Sequence, residues 1–158
     1  MGILIRRRIV AFLLVMLMTG CGEDPVAQVK SAVLVQKPDT PIGRIFSEYR
    51  YFKSVTWESY KDDSGQELAR VSCEYDVTAS LAGCPRGPAG EAPAARAFLN
   101  VLFTLDANGH VVVRGATFQT YSEKGYFEEY PADPAVIANL LDGKPSATCE
   151  ALYLPSYL

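Results

Sequence analysis

The chain has 158 residues, of which 49% are hydrophobic and 21% are charged, and its formal net charge is −3. This length and the abundance of aromatic side chains fit one folded domain with a sizeable core and argue against disorder of the whole chain. The acidic balance, without a block of basic residues in the body of the chain, argues against nucleic acid as a partner.

The first 20 residues carry the pattern of a secretory signal peptide. Arg6, Arg7 and Arg8 form a basic start, and an unbroken apolar run covers the ten residues 9–18. This run is too short to span the apolar core of a bilayer, which needs about 20 residues. Small residues after the run complete the pattern of a leader that is removed from the mature protein.

The predicted cleavage site, Met18-Thr19-Gly20-Cys21, resembles the lipobox of bacterial membrane lipoproteins, with Met18 where that family prefers Leu. The resemblance implies transfer of a diacylglyceryl group to the Cys21 thiol, cleavage before Cys21, and acylation of the new amine. Several acyl chains make a stable membrane anchor because each buried methylene contributes roughly 0.8 kcal/mol. Gly22 follows Cys21 in place of Asp, which by the same resemblance favours the periplasmic face of the outer membrane over the inner membrane.

Three segments are expected. Residues 1–20 are the signal peptide, residues 21–39 are the lipidated N-terminus and a tether, and residues 40–158 are a single α+β domain. Loss of the leader removes three arginines and no acid, so the mature chain keeps 12 basic and 18 acidic residues and a charge of −6. Within the tether, Asp24-Pro25 has the pattern of a helix start, whereas the apolar run 32–35 favours a short strand.

The domain is predicted to begin with a helix. Thr40-Pro41 combines a hydroxyl N-cap with a proline at the first helical position. Apolar residues then recur at helical spacing, which gives the helix one apolar face: Ile42, Ile45, Phe46, Tyr49 and Phe52. The helix should end near Lys53, where the sequence becomes rich in β-forming residues.

Strands and hairpins follow. A short strand over 57–60 and a turn over 61–65 precede a half-buried strand, in which the odd-numbered residues from Ala69 to Val77 point inward. Residues 80–96 are rich in Pro and Gly and predict a surface loop. Strands over 97–105 and 110–118 form a hairpin around Asn108-Gly109, because this dipeptide tolerates positive φ. An extension of the second strand to Tyr121 stays open.

The C-terminal part adds smaller elements. Residues 121–130 form a second hairpin or a projecting loop, Asp133-Pro134 starts a short helix that ends at Gly143, and 151–158 suggests a last edge strand. The chain is therefore predicted to be α+β, with an N-terminal helix packed on an antiparallel sheet of four or five strands and a short C-terminal helix. This order resembles small envelope lipoprotein domains, such as the assembly-machinery lipoproteins of the outer membrane, and the resemblance carries over no functional residue.

Three cysteines remain besides Cys21, so at most one internal disulfide is expected in an oxidising compartment. Cys73 and Cys84 are the pair closest in sequence and are the preferred pairing. A bridge from either one to Cys149 stays open, as do three buried thiols. The cysteine spacings do not resemble a zinc site, and the chain has one histidine, so no metal and no cofactor is expected.

No catalytic residue is predicted, and the protein is expected not to be an enzyme. His110 directly follows a hairpin turn, where a solvated side chain is usual, and no nucleophile is assigned to it. The adjacent acidic pairs, Asp62-Asp63 and Glu128-Glu129, do not form an acid–base pair by themselves, because sequence neighbours point apart on a strand.

Three aromatic residues, Tyr51, Tyr126 and Phe127, are the candidate interaction residues, because they have no place on the predicted apolar faces and exposed aromatics are enriched at interfaces. The leading hypothesis is a lipid-anchored, non-enzymatic envelope lipoprotein whose domain binds another envelope protein or is structural. The first alternative is a domain that binds a small apolar or lipid-like ligand between helix and sheet. The second is an envelope hydrolase, which would require His110 beside a nucleophile.

Overall fold

The structure is a computed structural model that describes residues 24–155. The predicted signal peptide, the lipobox and Cys21 lie outside these residues. The described part contains four short α-helices and a 3₁₀ turn: α1 Pro25–Ser31, α2 Ile42–Ser47, α3 Val77–Leu81, α4 Pro134–Leu141 and the 3₁₀ turn Glu150–Leu152. Its strands are β1 Val33–Leu34, β2 Lys37–Pro41, β3 Phe52–Lys61, β4 Glu67–Tyr75, β5 Glu91–Pro93, β6 Arg96–Leu105, β7 Val111–Tyr121, β8 Phe127–Pro131 and β9 Tyr153–Pro155.

A five-stranded antiparallel sheet in the order β3-β4-β6-β7-β8 is the centre of the fold. Two small two-stranded sheets, β1-β2 and β5-β9, lie outside it. The predicted α+β class with a four- or five-stranded antiparallel sheet is therefore confirmed. None of the helices within residues 24–155 has the length and the apolar character that a membrane crossing requires.

Two hairpin turns of the central sheet are stabilised in the same way, by an aspartate side chain that accepts backbone hydrogen bonds. Asp62 Oδ1 accepts hydrogen bonds from the backbone N–H groups of Ser64 and Gln66, both at 2.9 Å, and Gly65 has φ of 79°. Asp106 Oδ1 accepts from the N–H groups of Asn108 and His110, both at 2.8 Å. Short polar side chains and glycines are the residues that stabilise such turns, and both turns form where the sequence predicts them.

The third turn joins β7 to β8. The Tyr126 N–H donates to Ser122 Oγ at 3.0 Å, and Gly125 has φ of 82°. Of the two possibilities that the sequence left open for residues 121–130, the hairpin is the one that forms.

The predicted long helix from Thr40 to about Lys53 was wrong in its extent. Helix α2 covers Ile42–Ser47, and β3 begins already at Phe52, which pairs with Tyr75 of β4. The ring of Phe52 lies 4.6 Å from that of Tyr49, so both reach the core although they are not on one helix. Pairing along the long strand β3 outweighs the weak local preference for helix.

The predicted boundary at residue 40 was also wrong, because folded structure begins earlier. Asp24 caps helix α1 by accepting a hydrogen bond from the Val26 N–H at 3.1 Å. Val29 is 1% exposed and belongs to the core. Residues 25–39, which were assigned to the tether, form α1, β1 and β2, so the helix and the strand predicted as alternatives both occur.

The core lies between one face of the central sheet and the helices. This inner face carries alternate residues of the strands, among them Ala69, Val71, Cys73, Tyr75, Ala97, Leu99, Val101, Phe103 and Phe118, all buried. The ring of Phe46 from α2 lies 5.7 Å from that of Trp57 and 6.0 Å from that of Phe103. Aromatic contacts at these distances fill the layer between helix and sheet.

The disulfide joins Cys84 to Cys149, and Cys73 is a free, buried thiol. The preferred pairing of Cys73 with Cys84 was therefore wrong, and the Cys84–Cys149 alternative is the one that forms. The reason is the direction of the side chains: Cys73 points into the core from β4, whereas Cys84 follows α3 at the edge of the molecule. Burial raises the pKa of the Cys73 thiol, which keeps it protonated and unreactive.

The same edge holds the last strand. Strand β9 pairs with β5, so the segment predicted as an edge strand does form but joins the 80–96 region and not the central sheet. Residues 156–158 of that prediction lie outside the described residues. The loop 80–96 is thus held in place at two points, by the disulfide and by the pairing of β5 with β9.

Candidate functional site

The central sheet has a second face, opposite the helices, that we call the outer face. Its side chains alternate along each strand with those of the core. Among the described outward-facing residues Leu68 and Thr104 are buried, and the others are exposed or half-exposed. An antiparallel sheet with one face packed and the other solvated is a common arrangement. The side chains of the outer face are therefore available for contact with other molecules.

The outer face displays three aromatic rings in contact, Phe98, Tyr121 and Phe127, which we call the aromatic row. The ring centroids of Phe98 and Tyr121 are 5.8 Å apart, and those of Tyr121 and Phe127 are 5.0 Å apart. The row crosses the adjacent strands β6, β7 and β8. Phe127 is 43% exposed, and its neighbour Tyr126 is 40% exposed.

Two ion pairs lie on the outer face. Arg96 Nε donates to Glu74 Oε1 at 3.0 Å, and the guanidinium carbon of Arg96 lies 4.7 Å from the centroid of the Phe98 ring. The hydrogen bond from Arg96 lowers the pKa of Glu74. Arg70 forms an ion pair with Glu58 on the neighbouring strand. The aromatic row is therefore bordered by charges that already have partners.

A shallow cavity of about 240 Å³ lies in the middle of the outer face, lined by Tyr60, Arg70, Asn100, Leu102, Gly115 and Thr117, among others. Gly115 stands beside the point where the register between β6 and β7 shifts. A Cβ at this glycine would meet no atom within 4 Å, so the missing side chain leaves the depression open. The outer face thus has an aromatic end and a concave polar middle.

The structure separates the three predicted interaction aromatics into two places. Phe127 belongs to the aromatic row, and Tyr126 precedes it in the turn between β7 and β8. Tyr51 lies before β3, on the far side of the sheet order, with its ring 5.3 Å from that of Tyr49 and half-buried. Strands β3 and β8 are four strand spacings apart, roughly 19 Å. The fold therefore does not bring all three residues together in one interaction surface.

Two members of the aromatic row, Phe98 and Tyr121, were not among the predicted site residues. The signal for Phe98 was present in the strand pattern. Ala97, Leu99 and Val101 point inward, so a large apolar ring at the intervening position must point outward. A single aromatic residue at a solvent-facing strand position is ordinary, whereas the contact of Phe98 with Tyr121 makes it part of a contiguous apolar patch.

His110 lies at the tip of the β6–β7 hairpin. Its side chain is 77% exposed, and its Nδ1 atom is 3.2 Å from Asp106 Oδ2. A solvated histidine paired with its own turn gives no support to the hydrolase hypothesis, which needs a nucleophile in a pocket. Within residues 24–155, no group of three His, Cys, Asp or Glu side chains is placed to hold a metal ion.

Comparison of the chain with protein-family models, with curated proteins and with solved structures found no match.

Proposed function

We propose that the protein is a lipid-anchored lipoprotein of the bacterial envelope whose non-enzymatic domain binds another envelope protein through the aromatic end of its outer face. The observation that carries the proposal is the aromatic row with its exposed neighbour Tyr126. Large aromatic side chains bury much area at a small entropic cost and dominate the binding energy of protein interfaces. The paired charges beside the row suit a polar rim, which is the usual anatomy of an interface.

The position of the anchor supports this use of the aromatic row. Pro25, the first residue of α1, lies beside Leu105 at the end of β6, where both line one cleft. Phe98 stands near the beginning of the same strand, seven residues away and therefore roughly 23 Å along the sheet. A lipid on Cys21 would hold the α1 end near the membrane, since four residue steps reach at most about 14 Å. The aromatic row would then lie at the end away from the anchor.

The geometry supports the other two hypotheses less well. Phe46, Trp57 and Phe103 fill the layer between α2 and the sheet. A ligand between helix and sheet would have to use the cleft of about 320 Å³ between α1 and the sheet, which is lined in part by the buried residues Val29, Ala69 and Phe103. A hydrolase would need His110 in a pocket with a nucleophile, whereas this side chain is solvated.

The anchor is tested by Cys21→Ser. A hydroxyl cannot accept the diacylglyceryl group by thioether formation, so we expect the variant to leave the membrane pellet and to lack the acyl mass in mass spectrometry. Cys73→Ala is the control, because it removes a different thiol and should stay in the pellet. A Cys21→Ser protein that stays in the pellet with the acyl mass unchanged would contradict the anchor.

The docking surface is tested in living cells with the photo-crosslinking residue p-benzoylphenylalanine at position 127, and at position 56 as the control. Thr56 is an exposed outer-face residue of β3, remote from the aromatic row. We expect one defined protein adduct from position 127, lost when Tyr121→Ala is added, and no such adduct from position 56. Adducts that are absent at 127, or identical at both positions, would contradict the proposal.

A further inference from the structure

A larger cleft, of about 460 Å³, opens between α2 and α4 on the helical side of the molecule. Its apolar part is formed by Ile45, Tyr49, Leu140 and Leu141, and its charged rim by Lys37, Arg44 and Arg50 with the single carboxylate Glu48. The volume is in the range of small-molecule sites. An apolar floor under a cationic rim is a distinct arrangement from the paired charges of the outer face.

Two of the three rim cations have no counter-ion. Arg44 Nε is bound to Glu48 Oε1 at 2.8 Å. Lys37 and Arg50 form no ion pair with any residue of the described range 24–155. The rim therefore carries two surplus positive charges in a chain whose net charge is −3. Such a local excess of positive charge in an acidic chain attracts anions.

The carboxylate of Asp142 compensates the charge of Lys37 only in part. Asp142 follows α4, and its pKa is lowered first by the hydrogen bond from Lys144 Nζ at 2.8 Å and in smaller part by Lys37. This carboxylate is thus already bound by another lysine. Lys37 is half-buried in the lining of the cleft, and its ammonium has three N–H donors that can bind an anion.

The walls of the cleft are held in place. The Arg50 guanidinium lies 4.7 Å from the centroid of the Tyr51 ring and donates to the Tyr51 hydroxyl. The Tyr49 hydroxyl donates to the Lys144 carbonyl at 2.6 Å and accepts from the Ser146 N–H at 2.7 Å, which ties the segment after α4 to the base of the cleft. A rim that is fixed before binding loses less entropy on binding.

We propose that this cleft binds a phosphate group, with Lys37 and Arg50 as the binding cations and the apolar floor beside them. The planar guanidinium of Arg50 matches two phosphate oxygens, and the Lys37 ammonium supplies a point charge. Tyr51 acts by positioning Arg50, so this predicted interaction residue supports the rim of the cleft from outside and does not belong to the aromatic row. The phosphate belongs either to an anionic lipid headgroup or to free phosphate. The site is independent of the protein-binding function proposed for the outer face.

The test uses the full mature protein, purified in a non-ionic detergent, and three probes: inorganic phosphate, dihexanoyl-phosphatidylglycerol below its micellar concentration, and dihexanoyl-phosphatidylcholine as the zwitterionic probe. Binding is measured by calorimetric titration of the wild type, Lys37→Gln, Arg50→Gln and the double variant. Arg86→Gln is the matched control, since Arg86 is exposed, lies outside the cleft, and its replacement changes the net charge equally. Circular dichroism confirms that every variant is folded.

We expect each single cleft variant to weaken phosphate binding about five- to ten-fold, the double variant to abolish it, and Arg86→Gln to change it less than two-fold. Phosphatidylglycerol that binds at least ten-fold tighter than inorganic phosphate assigns the site to a lipid headgroup, and equal affinities assign it to free phosphate. Failure of both anionic probes to bind overturns the proposal. Equal weakening by Arg86→Gln, or equal binding of the zwitterionic probe, also overturns it.

Discussion

The inner and outer faces of the central sheet are made from alternate residues of the same five strands, yet they differ in what they do. On the inner face Val71, Leu99 and Val101 are fully buried against the helices. On the outer face Phe98, Tyr121 and Phe127 contact one another and remain open to solvent. Because successive residues of a strand point to opposite faces of the sheet, residues that stabilise the fold alternate with residues that are free to bind. Substitutions on the two faces should therefore affect different measurements.

The largest difference is expected from one aromatic residue on each face. Phe118→Ala removes a ring that is 2% exposed and should lower the free energy of unfolding by about 3–5 kcal/mol. Phe127→Ala removes a ring that is 43% exposed and should lower it by about 1 kcal/mol or less. Urea unfolding monitored by circular dichroism measures both. Equal losses would show that the two faces do not differ in their contribution to stability.

Next in size is the contrast between the peripheral disulfide and the core thiol. Reduction, or the double variant Cys84→Ser with Cys149→Ser, frees a loop of 65 residues in the unfolded state and should cost about 2–4 kcal/mol. Cys73→Ala removes one buried sulfur and should cost about 1–2 kcal/mol. Thermal melts with and without reductant measure the difference. A Cys73→Ala protein that lost its response to reductant would mean that Cys73 is in the bridge.

A smaller effect distinguishes buried from open tyrosine hydroxyls. The Tyr75 hydroxyl lies in the core, 2.6 Å from Ser146 Oγ, and burial raises its pKa. Tyr75→Phe leaves the serine hydroxyl without this partner and should cost about 1–2 kcal/mol. Tyr121→Phe on the outer face should change stability by less than about 0.5 kcal/mol. The urea midpoints of unfolding of the two variants measure the difference. A lower midpoint for Tyr121→Phe than for Tyr75→Phe would contradict the prediction.

The smallest effect concerns the ion pair of the outer face. The hydrogen bond from Arg96 lowers the pKa of Glu74, so the pair contributes stability above the usual carboxyl range, near pH 4.3, and loses it as the pH falls through the lowered pKa. Arg96→Gln should therefore weaken the loss of stability between about pH 5 and pH 3. Arg86→Gln is the control. An unchanged pH profile for Arg96→Gln would show that this pair contributes nothing measurable, as for many surface pairs.

Much of the fold could be predicted, because its signals are local. Turns at Gly65 and Gly109 need positive φ, and the capping Asp133 followed by Pro134 starts α4, so these elements form where the sequence places them. The inward alternation of β4 was predicted from Ala69 to Val77 for the same reason, and it holds as far as Tyr75, where β4 ends; Val77 begins α3. Helix α2 was predicted too long because helical spacing near Tyr49 and Phe52 is also satisfied by a turn that leads into a strand.

The candidate sites were predicted less well, because they depend on strands that are distant in sequence. Tyr51 was grouped with Tyr126 and Phe127 as an exposed aromatic, but strand order places four spacings between them. Phe98 joins the row only when β6 is known to lie beside β7 and β8 with its partner residues in register. The cationic rim combines Lys37 of β2 with Arg50 after α2, which no local pattern connects.

By itself, the sequence predicts a leader with its thiol, and it determined the acidic charge, the hairpin turns, the aspartate caps of α1 and α4 and the face to which most strand residues point. These features depend on a few neighbouring residues and on elementary backbone geometry. The hydroxyl cap that it predicts at Thr40 does not form, because Pro41 is the N-cap of α2. Tertiary structure alone decided that Cys84 meets Cys149, that three aromatic rings form one row, and that two unpaired cations share a cleft. Such meetings depend on strand order and helix packing, which are set by the burial of the whole core and not by any single segment.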